Sequence, residues 1–377
     1  MPRITVVDVG DGACTVLRCG CTDSGCACPT AVVDCGTWRS SPLLAAERLV
    51  RVLGVHGLQR LDSLVVTHFD ADHWHGLRLL ADNLHFAKRP TLNLYYPRLP
   101  DRAPQIADAT LALLVTSRFA GVRSLELATA LEEVATVDRH PLARGSEFEA
   151  CDRVWEVMWP PEQLSRALGE RLERAVRLTE DLAEQLDRAG HPTLRRNLEE
   201  AYERPFPGGD DQPTREVASE LALQGRRAAR GQAATEGRQP DRGMRASASG
   251  VHGLEAASAA VIPERFRGAF IDASKRLAAA NNDLSLVFHD KGGSLAVFGD
   301  ASRQVLRSAL RGMRMKYRAV LAPHHGTYPL PAGFPSAEVC IAQAGDRHVE
   351  RWPTHVAGHR QPRSCINTAQ VGTISVW

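Results

Sequence analysis

Between His68 and His73 the chain sets two imidazoles and two carboxylates, as His68-Phe69-Asp70-Ala71-Asp72-His73, just after the apolar run Leu64-Val65-Val66 and Thr67. Imidazole nitrogen and carboxylate oxygen together make a ligand set that suits Zn²⁺ or Mn²⁺. A strand ending in a tight loop can turn alternate side chains toward one point. The adjacency of Asp72 and His73 demands a bend, so one motif can serve two neighbouring ions. A helix-capping role explains one Asp and leaves His68, Asp70 and His73 unexplained.

Two later segments supply what that loop lacks. Asn281-Asn282-Asp283 reads as a polar turn entering a strand through Leu286 to His289. The turn Asp290-Lys291-Gly292-Gly293 and the run Ser294 to Phe298 complete a hairpin that ends in Gly299-Asp300. Farther on, Arg318 to Pro323 is an apolar strand running straight into His324-His325-Gly326-Thr327, where Gly326 permits an unusual turn. Three strands that each deliver His or Asp at the same kind of terminus gather those groups on one rim of a sheet sandwich, where ligand sites form.

The order His68-x-Asp70-x-Asp72-His73, Asn282 to Ser285, Gly299-Asp300, His324-His325-Gly326 resembles the metallo-β-lactamase fold. Its nearest likeness is the ComEC-like branch, named for a competence protein of DNA uptake, in which Asp replaces the middle His of the H-x-H-x-D-H motif. Val7-Asp8-Val9-Gly10-Asp11-Gly12-Ala13 resembles that branch's opening D-V-G-x-G-D motif, and Ala31 to Gly36 its second strand. Thr368 to Ile374 resembles its closing strand. There are departures. Ala13 stands where the branch has Asp, His75 where it has the first Gly of a pair, and Trp352-Pro353 where it often has His-Pro. No third-motif His is evident between His73 and Asp300.

The resemblance implies an α/β protein, an αββα sandwich, holding two divalent ions, Zn²⁺ or Mn²⁺. Such ions lie about 3.5–4 Å apart, share a carboxylate and a hydroxide, and clamp the attacked group. Carried over by residue, His68 and Asp70 hold one ion, Asp72 and His73 the other, and Asp300 bridges them. His325 or His324 completes the second ion, and the other member of that pair faces the substrate as donor or general acid. Asp72, Asp300 and His324 form the implied catalytic set, with Asn282 and Ser285 against the substrate.

Composition sets bounds. With 377 residues, 44% of them hydrophobic, and a net charge of +2, the chain can bury a full core and is not strongly basic. Arg3 precedes only the short run Ile4-Thr5-Val6-Val7, which reads as a strand and not a leader. No apolar stretch approaches the ~20 residues needed to cross a bilayer. A cytoplasmic protein without a membrane role is the expectation.

Cys19, Cys21, Cys26 and Cys28 form a C-x-C, gap, C-x-C cluster between two predicted strands, flanked by Cys14 and Cys35. Positions two apart in a strand share a face, so paired strands can present four thiolates to one structural Zn²⁺. Free thiols and disulfides are the alternatives.

Leu164, Leu168, Leu172, Val176, Leu182 and Leu186 recur between Arg and Glu, predicting an amphipathic helix ended by Gly190 and Pro192. A second helix is predicted from Thr193 to Tyr202. Arg230 to Gly250 is rich in Gly, Ala, Ser, Gln and Arg and reads as mobile. The chain thus divides into an N-terminal half of the fold (1–160), a helical insertion (161–263) and a C-terminal half (264–377). The insertion reads as decoration, as a lid, or as a docking element for a protein partner. Arg226, Arg227, Arg230, Arg238, Arg242 and Arg245, with Arg311, Arg314, Lys316 and Arg318, make loose cationic tracts that can track phosphates or serve as a solvated face.

Two reaction classes follow. One is a metal-dependent phosphodiesterase or nuclease acting on nucleic acid or a nucleotide, which the resemblance favours. The other is a hydrolase of a non-phosphate ester, lactone or thioester, because this fold hosts many chemistries. A third reading is a partner-recruiting domain without catalysis, against which the intact ligand set speaks.

Overall fold

The computed structural model describes residues 3–20, 28–38, 42–83, 89–103, 105–116, 127–206, 262–352 and 365–377. The Arg226 to Arg245 tract, Cys21, Cys26 and the expected mobile stretch lie outside them.

Alternation of apolar side chains builds two packed sheets. One carries β1 (Arg3–Val6), β2 (Cys14–Arg18), β3 (Thr30–Cys35), β4 (Leu61–Val65), β5 (Thr91–Pro97) and β6 (Thr136–Leu142), with the last strand, β14 (Ile374–Val376), on the outer edge beside β1. The other runs β13 (Cys365–Asn367), β12 (Ser336–Ala342), β11 (Lys316–Leu321), β10 (Leu295–Val297), β9 (Val287–Asp290), β8 (Arg153–Trp159), β7 (Glu147–Ala150). Ala31 and Val33 of β3 belong to the same buried cluster in the seam between the sheets as Ala319 and Leu321 of β11, while Val32 and Val320 belong to the other cluster, under the helices. That period of two is what a strand covered on both faces requires. Phe148, Trp155 and Phe288 fill one end of the seam, Trp155 and Phe288 edge to face at 5.6 Å.

Helices cover both outer faces, so the expected αββα sandwich is the observed architecture. α1 (Pro42–Gln59) and α2 (Ala71–Asn83) pack on the first sheet; α3 (Ile106–Thr116) and α4 (Leu127–Val134) follow. α5 (Arg166–Arg188) buries Leu168, Leu172, Val176, Leu182 and Leu186, and its N-cap Ser165 accepts from the Leu168 N–H. Gly190, at φ 83°, turns the chain into α6 (Thr193–Glu203). Both helices fall where the sequence predicts them. α7 (Glu264–Leu284) packs on α5 and α3, and α8 (Arg303–Ala309) lies beside β8. No helix among the described residues is long and apolar enough to cross a membrane.

Two expectations are corrected here. Asn281-Asn282-Asp283 is the last turn of α7 and not a turn entering a strand, because Leu277, Ala280 and Leu284 keep a helical face buried to the end. Thr368–Val371 is a helical turn, α10, following the short α9 (Asp346–Val349); the closing strand starts only at Ile374. Asn367 stops β13 by accepting the Gln370 N–H, a capping bond that competes with the sheet.

The feature that positions the site is strand direction. β3, β4, β5 and β6 are parallel, as are β10, β11, β12 and β13. Parallel strands put all their carboxyl ends on one rim, and the residues after β3, β4, β10, β11 and β12 meet there.

Candidate metal centre

Each strand end hands over its chemistry through a sharp local turn. β4 leads through Thr67 and His68 into α2, with the His73 N–H bonded to Asp70 O at 3.0 Å, so Asp72 sits in the first helical turn where the helix dipole favours a carboxylate. The next-to-last residue of β3 is Asp34, at φ 54°, whose carboxylate reaches Thr67 and His73. Gly36 then passes so close to α2 that a Cβ would lie 2.4 Å from Ala71 O and 2.6 Å from His73 N. β11 ends in Ala322-Pro323, after which His324 (φ 50°), His325 (φ 55°) and Gly326 (φ 70°) are all left-handed. Left-handed backbone costs about 1–2 kcal/mol per non-Gly residue. Such strain persists where function needs a side chain aimed a particular way.

The side chains so delivered converge. His73 Nε2 lies 3.2 Å from His325 Nε2 and 3.2 Å from Asp300 Oδ1. His325 Nε2 is 3.3 Å from Asp72 Oδ2 and 3.5 Å from Asp300 Oδ2. His68 Nε2 is 3.7 Å from Asp70 Oδ2 and, although buried, has no hydrogen-bond partner among the described residues. Two overlapping groups result, His68 with His73 and Asp300, and Asp72 with His73 and His325, each with ligand atoms within 4.8 Å of one another.

Outward hydrogen bonds fix which nitrogen faces in. Asp34 Oδ2 accepts from His73 Nδ1 at 2.8 Å and from the Thr67 hydroxyl at 2.8 Å, while Asp34 Oδ1 accepts the Thr67 N–H at 2.7 Å. His325 Nδ1 donates to Gln343 O at 2.8 Å. With its proton given to Asp34, Thr67 Oγ1 can accept from His68 Nδ1, 3.2 Å away. In its neutral form each of the three rings is thereby held as the Nδ1–H tautomer with Nε2 inward, the arrangement a metal-ligating histidine needs. The donor set therefore fits divalent cations.

The electrostatics agree. Burial would lower His73 and His325, but the Asp300 carboxylate overrides it: with Asp34 it raises His73, and with Asp72 it lifts His325 to about 10. Burial would raise Asp72 and Asp300, yet the hydrogen bond from His325 and the charge of His73 bring Asp72 to about 2, and His325, His324 and His73 hold Asp300 well below the carboxylate range. A field that retains protons on buried imidazoles is one that a cation can satisfy in their place.

The two adjacent histidines differ. His325 is buried between Asp72 and Asp300, whereas His324 has a fifth of its side chain exposed, with Nδ1 3.1 Å from Asp300 Oδ2 and its ring stacked on Tyr328 at 4.2 Å. Asn282 Nδ2 approaches His324 Nδ1 at 3.4 Å, at the same opening. Ser285 is wholly buried behind Gly299, and its hydroxyl has no partner among the described residues.

Other expectations resolve differently. His75 lies on α2, buried, with both ring nitrogens unpaired among the described residues; burial pushes it down to about 4. Asp11 accepts the Gly345 N–H at 3.1 Å and lies 3.5 Å from His348. Trp352 packs over Gly326, where a Cβ would collide with its ring at 2.8 Å. Cys19 is disulfide-bonded, which accords with the disulfide alternative read from the cysteine cluster, and Cys28 is not in a disulfide. Sequence reading missed Asp34, Gln343 and His348; the last stacks on His325 at 4.8 Å. Only Asp34 carried a usable signal, an acid at a strand end before Gly.

Residues 7–161 match the family model described as the metallo-beta-lactamase superfamily. No curated protein matches the sequence. Among solved structures, the metallo-beta-lactamase fold protein YhfI of Bacillus subtilis is 13% identical over 42% of this chain and 52% of its own, TM-score 0.26. The FEZ-1 metallo-beta-lactamase of Legionella gormanii gives the same figures, 13%, 42%, 52% and 0.26. The chain thus spans about half the length of these two. A long form RNase Z from yeast is 7% identical over 85% of this chain and 32% of its own, TM-score 0.32. The matched segment supplies β2 to β8 and the His68 to His73 loop, and the second sheet closes the same rim with Asp300 and His325. Over residues 7–161 the chain is thus similar to the metallo-beta-lactamase superfamily.

Proposed function

We propose that this chain is a metal-dependent hydrolase that cleaves phosphodiesters of the ComEC-like kind, in nucleic acid or a nucleotide. One observation carries the reading: three buried imidazoles, each with Nδ1 bonded outward, turn Nε2 toward the buried Asp300 carboxylate. His68, Asp70 and Asp300 are assigned to one ion, and Asp72, His73 and His325 with Asp300 to the other. Divalent cations held there supply water activation and charge neutralisation at the attacked group.

The chain's own residues supply the rest. Asp300, facing both groups, sets the spacing between them. His324, partly exposed and anchored by Asp300, is placed to give a proton to the leaving oxygen. Asn282 beside it offers a neutral donor to a phosphoryl oxygen. The exposed Arg351, whose charge reaches Tyr328 beside His324, favours an anionic substrate at this opening.

The test is incubation of the full chain with Mn²⁺ or Zn²⁺ and bis(p-nitrophenyl) phosphate, linear DNA, RNA or a lactone. Metal-dependent phosphodiester cleavage that disappears in Asp72→Ala and Asp300→Ala is the expected result. Turnover of the lactone alone overturns the phosphodiester assignment in favour of ester chemistry.

A further inference from the structure

We propose that Asn281 is a positioning residue that fixes which oxygen of Asp70 is offered to a cation, and so ties the helical layer to the His68 side of the centre. The inference rests on the metal reading above. Asn281 is wholly buried in the last turn of α7. Its Nδ2 donates to Asp70 Oδ1 at 3.0 Å and to Thr110 Oγ1, on α3, at 2.9 Å. A carboxylate only accepts, so the amide must face it with nitrogen, and the orientation is dictated by chemistry. The amide oxygen is left buried without a partner among the described residues. An unsatisfied acceptor is tolerated so that the donor stays on Asp70.

Oδ1 accepts from Asn281, and Oδ2 is the oxygen nearest His68 Nε2, itself buried and unpaired among the described residues. Asn281 therefore biases Asp70 toward presenting Oδ2 on the His68 side. A neutral amide does this without adding a further negative charge beside Asp70. The lever is rigid. The neighbouring Asp283 is held by Arg171 of α5 at 2.9 Å and by Ser302 at 2.7 Å, and its carbonyl accepts from Trp159 Nε1 at 2.7 Å. The end of α7 cannot drift, and Thr110 fixes the amide from the opposite side.

The test is calorimetric titration of Mn²⁺ into the full chain. Outer-shell partners of metal ligands are commonly worth 10–100-fold in affinity. Asn281→Ala is expected to weaken one ion by roughly that factor and leave the other unchanged. In an Asp70→Ala background the same substitution should change nothing further, which a loss of packing alone would not reproduce. Thr110→Val, which removes the second anchor and keeps the side-chain shape, should weaken the same ion less, and it decides the matter should Asn281→Ala not fold. Equal affinities in wild type and these variants, or a further loss in the Asp70→Ala background, overturn the proposal alone. A wild-type chain that binds no Mn²⁺ overturns it together with the metal reading.

Discussion

Replacing Asp34 by Asn tests the outward hydrogen bonds most cleanly. Asn tolerates the left-handed backbone as Asp does, so the φ of 54° at this position is undisturbed. Three donors point at the buried carboxylate: the Thr67 N–H, the Thr67 hydroxyl and His73 Nδ1. An amide has only one oxygen. If the nitrogen replaces Oδ1, it meets the Thr67 N–H, donor against donor. If it replaces Oδ2, His73 must surrender its Nδ1 proton and carry it on Nε2, 3.2 Å from Asp300 and pointed at the cation. At least one hydrogen bond to a charged group is lost either way, about 1.5–3 kcal/mol each. The tautomer change should also lower metal affinity by roughly 10–100-fold. Urea denaturation of the metal-stripped chain measures the first quantity, and Mn²⁺ titration of the folded variant the second. Wild-type values for both would refute the reasoning; lower stability with unchanged affinity would refute the tautomer argument specifically.

Three further outcomes are expected. Because His325 is raised from 6.5 to about 10, its proton stabilises the metal-free fold fully below about pH 6.5 and is lost as pH climbs through 10. Denaturation midpoints of the stripped chain should therefore fall over that window, and saturating Mn²⁺ should flatten the decline; a flat metal-free profile contradicts the ion cluster. His325→Ala should abolish binding of one ion, while His324→Ala should retain both ions and lower turnover by roughly 10²–10⁴-fold, as loss of a general acid does. Gly36→Ala forces a Cβ to within 2.4 Å of Ala71 O, so the first turn of α2 must move. A stability loss of about 1–3 kcal/mol in a thermal melt is expected, together with weaker metal binding.

What the sequence disclosed was whatever lay close along the chain. His68 to His73 reads as strand, loop and helix start because apolar residues precede it and an Asp falls in the first helical turn. The hairpin around Asp290 was equally local: its carboxylate accepts the Gly292 and Ser294 N–H groups, a turn that Asp and Gly announce. Asn281 to Asp283 misled because such residues favour turns in isolation, whereas the buried stripe of α7 carries the helix past them. Gln343, His348 and Asn281 were not legible as a site, and Asp34 was legible only as an acid near a strand end. Asp34 is 39 residues from His73 and Asn281 is 211 from Asp70, and only the parallel order of the strands brings them together.

The shared rim has a consequence for how the molecule holds shut. His68 and His73 hang from one sheet, Asp300 and His325 from the other, so any cation they grip acts as a clasp across the open edge of a book. Chelation should leave the spine of Trp155 and Phe288 intact and let the fore-edge gape. A fragment ending at residue 161 has one cover, only the β7 and β8 strip of the other, and half a clasp, and should not hold the ion at all.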